Sequence, residues 1–154
     1  MDIISHGLWA NLIFKEMPEK NPAVIFSIIP DLISFGGVLG KRFFRKTLHY
    51  KDPPLSAFPK FVFKLYRATH SLIIWLIIFL ALYALGFKFI AIAYAGWGLH
   101  ILLDIFTHTT DFFPTPIFWP FSRYHFSGIN WSNKYFMIFN YAVLIFLYLF
   151  FYFR

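Results

Sequence analysis

The run from Tyr135 to Phe153, YFMIFNYAVLIFLYLFFYF, restricts the possible folds more than any other feature. Asn140 is its only strongly polar side chain, and Arg154 follows it. A helix that crosses a bilayer needs about 20 mainly apolar residues, within a range of about 17–25. In hydrocarbon every backbone N–H and C=O must find a partner inside the segment, so a run of this kind is helical. The whole chain shares the bias. It is 59% hydrophobic with 23 Phe, 9 Tyr and 5 Trp, and only 14% of residues are charged, against about 25% in soluble domains. The expectation is an all-α, polytopic membrane helix bundle of four to five spans, forming a single domain over residues 1–154.

Ser71 to Phe87 and Phe89 to Thr107 read as a helical hairpin around Gly86 and Lys88. A tight turn makes such helices antiparallel neighbours that share a face. Pro22 to Gly40 is a further span, with Asn21 as its N-cap and Pro22 at its first helical position. Pro30 is expected to kink or break it, and Gly36-Gly37 to weaken its last turns. Asp2 to Lys15 is shorter and fits either a tilted span or an interfacial helix. Asp52-Pro53-Pro54 belongs to a non-helical connection, after which Ser56 is placed to cap a short helix leading to His70. No cleavable leader is evident at Met1: a basic start and a small-residue cleavage site are both missing.

The net charge of +7 is unevenly placed. Lys41, Arg42, Arg45, Lys46, Lys51, Lys60, Lys64 and Arg67 lie in one connection, 41–67, with Asp52 as its only acid. In a membrane chain such a cluster marks the cytoplasmic side and attracts anionic headgroups; nucleic acid is the weaker alternative partner. With 41–67 cytoplasmic in a cell's inner membrane, the spans before Lys41 and through His100 run inward. Those after His70 and through Asn140 run outward. His6, Asp31, His70, His100, Asp104 and His108 then arrive at similar depth.

Ionisable side chains inside a bilayer are costly and usually functional. Asp31 and Asp104 sit in apolar runs that contain no Lys or Arg. A divalent cation compensates them economically. There is no cysteine, so any metal is held by imidazole and carboxylate, a donor set that suits zinc. His100 and Asp104 are one helical turn apart on one face, able to bind one ion together or two neighbouring ions. A bound ion lowers the pKa of its water toward neutrality. The candidate ligands are His6, Asp31, His70, His100, Asp104 and His108, with Asp104 and Asp31 doubling as catalytic base. Each has a plainer reading: a helix–helix polar clasp for His100 and Asp104, a helix-end residue for His108, an interfacial residue for His6 or His70, a cap for Asp31. Asp111 reads as solvated or capping, and His49 as a loop residue.

The segment 112–134, rich in aromatics and proline, is expected to be non-helical and to seat at headgroup level through Trp119 and Trp131. Arg123, His125 and Trp119 are its candidate substrate contacts. An aromatic anchor with no substrate contact is equally compatible with the segment, as is a plain loop role for His125.

The elements HILLDIFTH and FWPFS, with the earlier ATHSL and IPD, resemble the inner-membrane metal-dependent hydrolase family that includes LexA-regulated members. That family is itself distantly similar to zinc-dependent phospholipase C and P1-type nucleases. The resemblance covers roughly residues 2–131. It implies metal ligation by His6, Asp31, His70, His100 and Asp104, and hydrolysis of a phosphoester, with membrane lipid or a small phosphoester as substrate. Two other readings compete. His70 and His100 on adjacent spans could ligate a haem, although two uncompensated carboxylates argue against it. A non-enzymatic membrane protein could use the cluster for packing or ion passage. Nothing in the sequence specifies an oligomeric state.

Overall fold

The computed structural model describes residues 1–44 and 55–152, and the described residues form six α-helices and no strand. They are α1 (Ile3–Ile13), α2 (Lys20–Phe44), α3 (Lys60–Thr69), α4 (Leu72–Ala84), α5 (Lys88–Thr107) and α6 (Lys134–Tyr152), with a 3-10 turn at Leu55–Ala57. Three stretches are long and apolar enough to cross a membrane: Lys20–Val38, Lys88–Thr107 and Lys134–Tyr152. The pair α3–α4, bent by 51° at Thr69–Leu72, makes up to four. At 11 residues α1 is below the length of a span. Most of the large apolar side chains on α4 and α6 point outward, as expected of helices facing lipid.

Several local expectations are corrected. Asn21 is not the N-cap of α2, which begins one residue earlier, at Lys20, so Pro22 is its third residue and not its first; it lies within the first turn, where a missing N–H costs nothing. Pro30 lies inside α2, which runs on without a break through it and through Gly36-Gly37. One proline removes one intrahelical bond, and packing against neighbours makes that tolerable. Ser56 is part of the 3-10 turn rather than a cap; α3 starts after Pro59, which offers no side-chain cap. Asp52-Pro53-Pro54 and His49 fall outside the described residues.

Relative helix directions follow from paired contacts. Ala23, Ser27 and Asp31 of α2 meet Gly96, His100 and Asp104 of α5 in step, so these two helices run the same way. Trp75 of α4 packs on Gly98 and donates to the Tyr94 carbonyl, which makes α4 and α5 antiparallel. Their turn is closed by Gly86 at φ +86°, a conformation favourable only to glycine. The α1 sequence runs against α2: the His6 carbonyl meets Ser27, while Ala10 and Phe14 further along α1 pack with Ala23. It runs with α6, through Ser5 on Asn140 and Asn11 on Tyr148. Hence α1, α4 and α6 point one way and α2 and α5 the other, the alternation expected of the sequence.

The break between α3 and α4 is stitched from outside. Trp97 Nε1 donates to the Thr69 carbonyl at 2.7 Å, Ser71 Oγ to the Trp119 carbonyl at 2.5 Å, and Leu72 N to Ile117 O at 3.0 Å. The largely irregular 108–133 segment thus docks on the point where the chain turns at His70, and its non-helical expectation holds.

Candidate metal centre

All six candidate ligands come together. Asp31 stands on α2, His70 at the α3–α4 break, and His100 and Asp104 one turn apart on α5. One ligand atom from each of these four lies within 4.8 Å of every other. Asp104 divides the cluster. Its Oδ2 faces His100 Nε2 at 3.3 Å and His70 Nε2 at 3.5 Å, and those two nitrogens also face Asp31 Oδ1 at 3.9 and 3.5 Å. Its Oδ1 faces His6 Nε2 at 3.0 Å and His108 Nε2 at 3.4 Å, and takes the Met1 ammonium.

Backbone carbonyls determine which face each ring presents. His100 Nδ1 lies 2.7 Å from Ser27 O. A carbonyl only accepts, so Nδ1 carries a proton, and in the neutral ring Nε2 presents a lone pair. His108 Nδ1 donates to Phe113 O at 3.0 Å. His70 Nδ1 faces Tyr66 O at 3.2 Å and Thr69 Oγ1 at 2.8 Å; the Thr69 hydroxyl has the Leu65 carbonyl to donate to at 3.0 Å, which leaves it to accept from the ring. In their neutral form the three imidazoles aim Nε2 lone pairs at two carboxylates. This is the outer-shell arrangement that fixes histidine tautomers at metal sites.

With the Met1 ammonium on Oδ1, the acceptors left without a cation are those on the Oδ2 side of Asp104. The Nε2 atoms of His70 and His100 are 3.0 Å apart, and in this tautomer neither carries hydrogen. Asp104 Oδ2 and His6 Nδ1 are buried without a hydrogen-bond partner. His6, His70, His100 and Asp104 are buried, and Asp31 alone keeps noticeable exposure, with 16% of its side chain accessible.

The remaining candidates stand apart. Arg123 is exposed, His125 Nδ1 donates to Thr115 O at 3.2 Å, and Trp119 contributes its carbonyl to Ser71. No hydrogen bond or ion pair among the described residues joins these three to the six. Asp111 is exposed in the turn after α5.

The supporting residues were less visible in sequence. Ser27 and Ser34 flank Asp31 on α2. Ser34 Oγ lies 2.9 Å from Thr69 Oγ1, extending the chain that holds His70. Tyr66 stacks on the His70 ring with centroids 3.9 Å apart and donates to Phe113 O at 2.7 Å, the carbonyl that also holds His108. Phe113 adopts φ 45°, a strained conformation for a bulky residue and one that clusters at functional sites. Small polar residues at helical spacing beside Asp31 were the available signal; the carbonyl partners had none. Comparison with protein-family models, with curated proteins and with solved structures finds no match to this chain.

Proposed function

We propose that this protein is a membrane-embedded, metal-dependent hydrolase of four to five spans, acting on a phosphoester of a lipid or another substrate at the membrane interface. The observation that carries the metal is the meeting of His70 and His100 Nε2 lone pairs with the unpartnered Asp104 Oδ2. Asp31, His70, His100 and Asp104 hold one ion, most suitably zinc given the donor set. The other oxygen of Asp104, which His6 and His108 face, takes the Met1 ammonium, so a second ion there would have to displace that ammonium. A bound ion supplies Lewis acidity and an activated water. Asp31, the ligand nearest the outside, is suited to take the water's proton. The resemblance of the His-x-x-x-Asp and Thr-His-Ser elements to inner-membrane hydrolases supports the reaction class. The basic connection 41–67 supports an inner-membrane orientation with that side cytoplasmic. Arg123, His125 and Trp119 are the proposed substrate contacts on the aromatic segment.

A second reading has its own support. The ligands other than Asp31 are almost wholly enclosed, whereas catalytic zinc keeps an open position; a structural ion or polar clasp between helices accounts for that enclosure. Elemental analysis of detergent-purified protein, beside the His100→Ala/Asp104→Ala double variant, is the first test. One or two equivalents of metal, lost in the variant, support the site, and turnover of phospholipid phosphoesters that needs this metal supports the hydrolase. Bound metal without turnover of any phosphoester favours the structural reading. A folded wild type that takes up neither zinc nor manganese overturns the metal centre.

A further inference from the structure

Beyond Lys134 at its start, Asn140 is the one strongly polar side chain in α6, and it is 4% exposed. A buried amide in an apolar helix is costly unless its hydrogen-bonding groups are met. Here they are met by a single neighbour, α1. Asn140 Oδ1 accepts from Trp9 Nε1 at 2.9 Å, and Nδ2 donates to Ser5 Oγ at 2.8 Å. Ser5 Oγ in turn donates to Asp2 Oδ2 at 2.5 Å. Asp2 Oδ1 caps α1 by accepting from Ile4 N and Ser5 N at 3.1 and 3.0 Å, and it also takes the Tyr141 hydroxyl at 3.0 Å.

We propose that Asn140 is a positioning residue for His6, setting the rotation of α1 about its own axis and so the approach of His6 to Asp104. Asp2, Ser5 and Trp9 recur at helical spacing on the face toward α6. His6 lies about 100° around from Ser5 and faces Asp104 at 3.0 Å. On the α2 side α1 presents the small Gly7 and Ala10, which permit close approach, and its one hydrogen bond there is the long 3.3 Å contact of Ser27 Oγ with the His6 carbonyl. At 11 residues α1 is also too short for the bilayer to hold it as a span. The Asn140 amide clamps α1 on both sides of His6, at the residue before it and three residues after. In its consequence for ion binding this inference rests on the metal reading; in its geometry it does not.

The test uses full-length protein with 15N-labelled histidine in micelles, and reads the imidazole nitrogens with and without zinc. Asn140→Leu keeps the side-chain volume and removes the amide. Ser5→Ala deletes one hydroxyl of the same link and serves where Asn140→Leu fails to fold. Tyr148→Phe is the comparison. It removes bonds from α6 to Leu8 O and Asn11 Oδ1 at the far end of α1, outside the Asn140 network. The expected result is that Asn140→Leu and Ser5→Ala shift the His6 nitrogens, with those of His100 stacked on it following, leave those of His70 and His125 in place, and weaken zinc binding by about 10–100-fold. Tyr148→Phe leaves His6 unmoved. The proposal is overturned if Asn140→Leu and Ser5→Ala lower thermal stability with His6 unchanged, or if all histidines move together. A wild type in which no imidazole responds to zinc refutes the metal reading, and the zinc-free spectra still decide the role of Asn140.

Discussion

A Cβ placed on Gly96 would stand 2.1 Å from the Ala23 carbonyl oxygen, so α2 and α5 touch backbone to backbone there. One turn further along the same pair of helices, His100 meets the Ser27 carbonyl; one turn beyond that, Asp31 and Asp104 share the cluster. The two carboxylates come together because a glycine admits the other helix.

That contact makes Gly96 a sensitive position. Gly96→Ala is expected to destabilise the protein by about 1–3 kcal/mol, the usual cost of overpacking. It should also weaken metal binding by spreading α2 from α5. Gly37→Ala, where a Cβ meets nothing within 4 Å, is expected to leave thermal stability unchanged or slightly raised. Thermal unfolding in detergent measures both, and equal effects at the two positions would refute the account.

The hydroxyl of Thr69 holds His70 Nδ1 and is linked to Ser34. Thr69→Val conserves shape and removes that partner. It should reduce metal affinity by about 10–100-fold, as loss of an outer-shell partner does elsewhere, with a cost of about 1 kcal/mol in stability. Equilibrium dialysis against zinc gives the first quantity and thermal unfolding the second. Unchanged affinity would show that His70 needs no such support.

The two carboxylates should differ. Asp104 is buried against four imidazoles, whereas Asp31 keeps some exposure. Asp104→Asn removes the central charge of a buried polar network, a change expected to cost about 3–5 kcal/mol. Asp31→Asn should lower metal affinity and spare the fold. Paired melting curves with elemental analysis decide this, and a larger stability loss for Asp31→Asn would reverse the assignment.

Binding should also depend on pH in a definite direction. The imidazoles ligate only when neutral, so protons compete with the ion. Metal occupancy and the stability it confers are expected to be present near neutral pH and to fall together as pH drops. Zinc titrations at stepped pH, with melting temperatures alongside, would reveal any departure. Affinity that rises on acidification would exclude histidine ligation.

The six polar residues were legible because lipid makes their placement so costly. His6, Asp31, His70, His100, Asp104 and His108 stand out in a chain this apolar, and all six meet. The hairpin at Gly86 and the helix over Tyr135 to Tyr152 were legible for the same reason: length and hydropathy suffice in a solvent that forbids open backbone. Asn21 and Pro30 misled because capping and helix breaking are local preferences, and neighbouring helices outweigh them. The carbonyls of Ser27, Tyr66 and Phe113 left no trace in the sequence, since every residue has one and only packing selects which is aimed inward.

By itself the sequence determined that the chain is helical, apolar enough for a membrane, and supplied with imidazoles and carboxylates that lipid would not tolerate unpaired. The tertiary structure alone decided how these groups are shared. It placed His70 and His100 on one oxygen of Asp104 and His6 and His108 on the other, and left Asp31 the most exposed of the group. Helix periodicity puts residues on a face, but the distance and rotation between faces come from contacts such as Gly96 on Ala23 and Asn140 on Ser5. Those contacts exist only once the helices have packed.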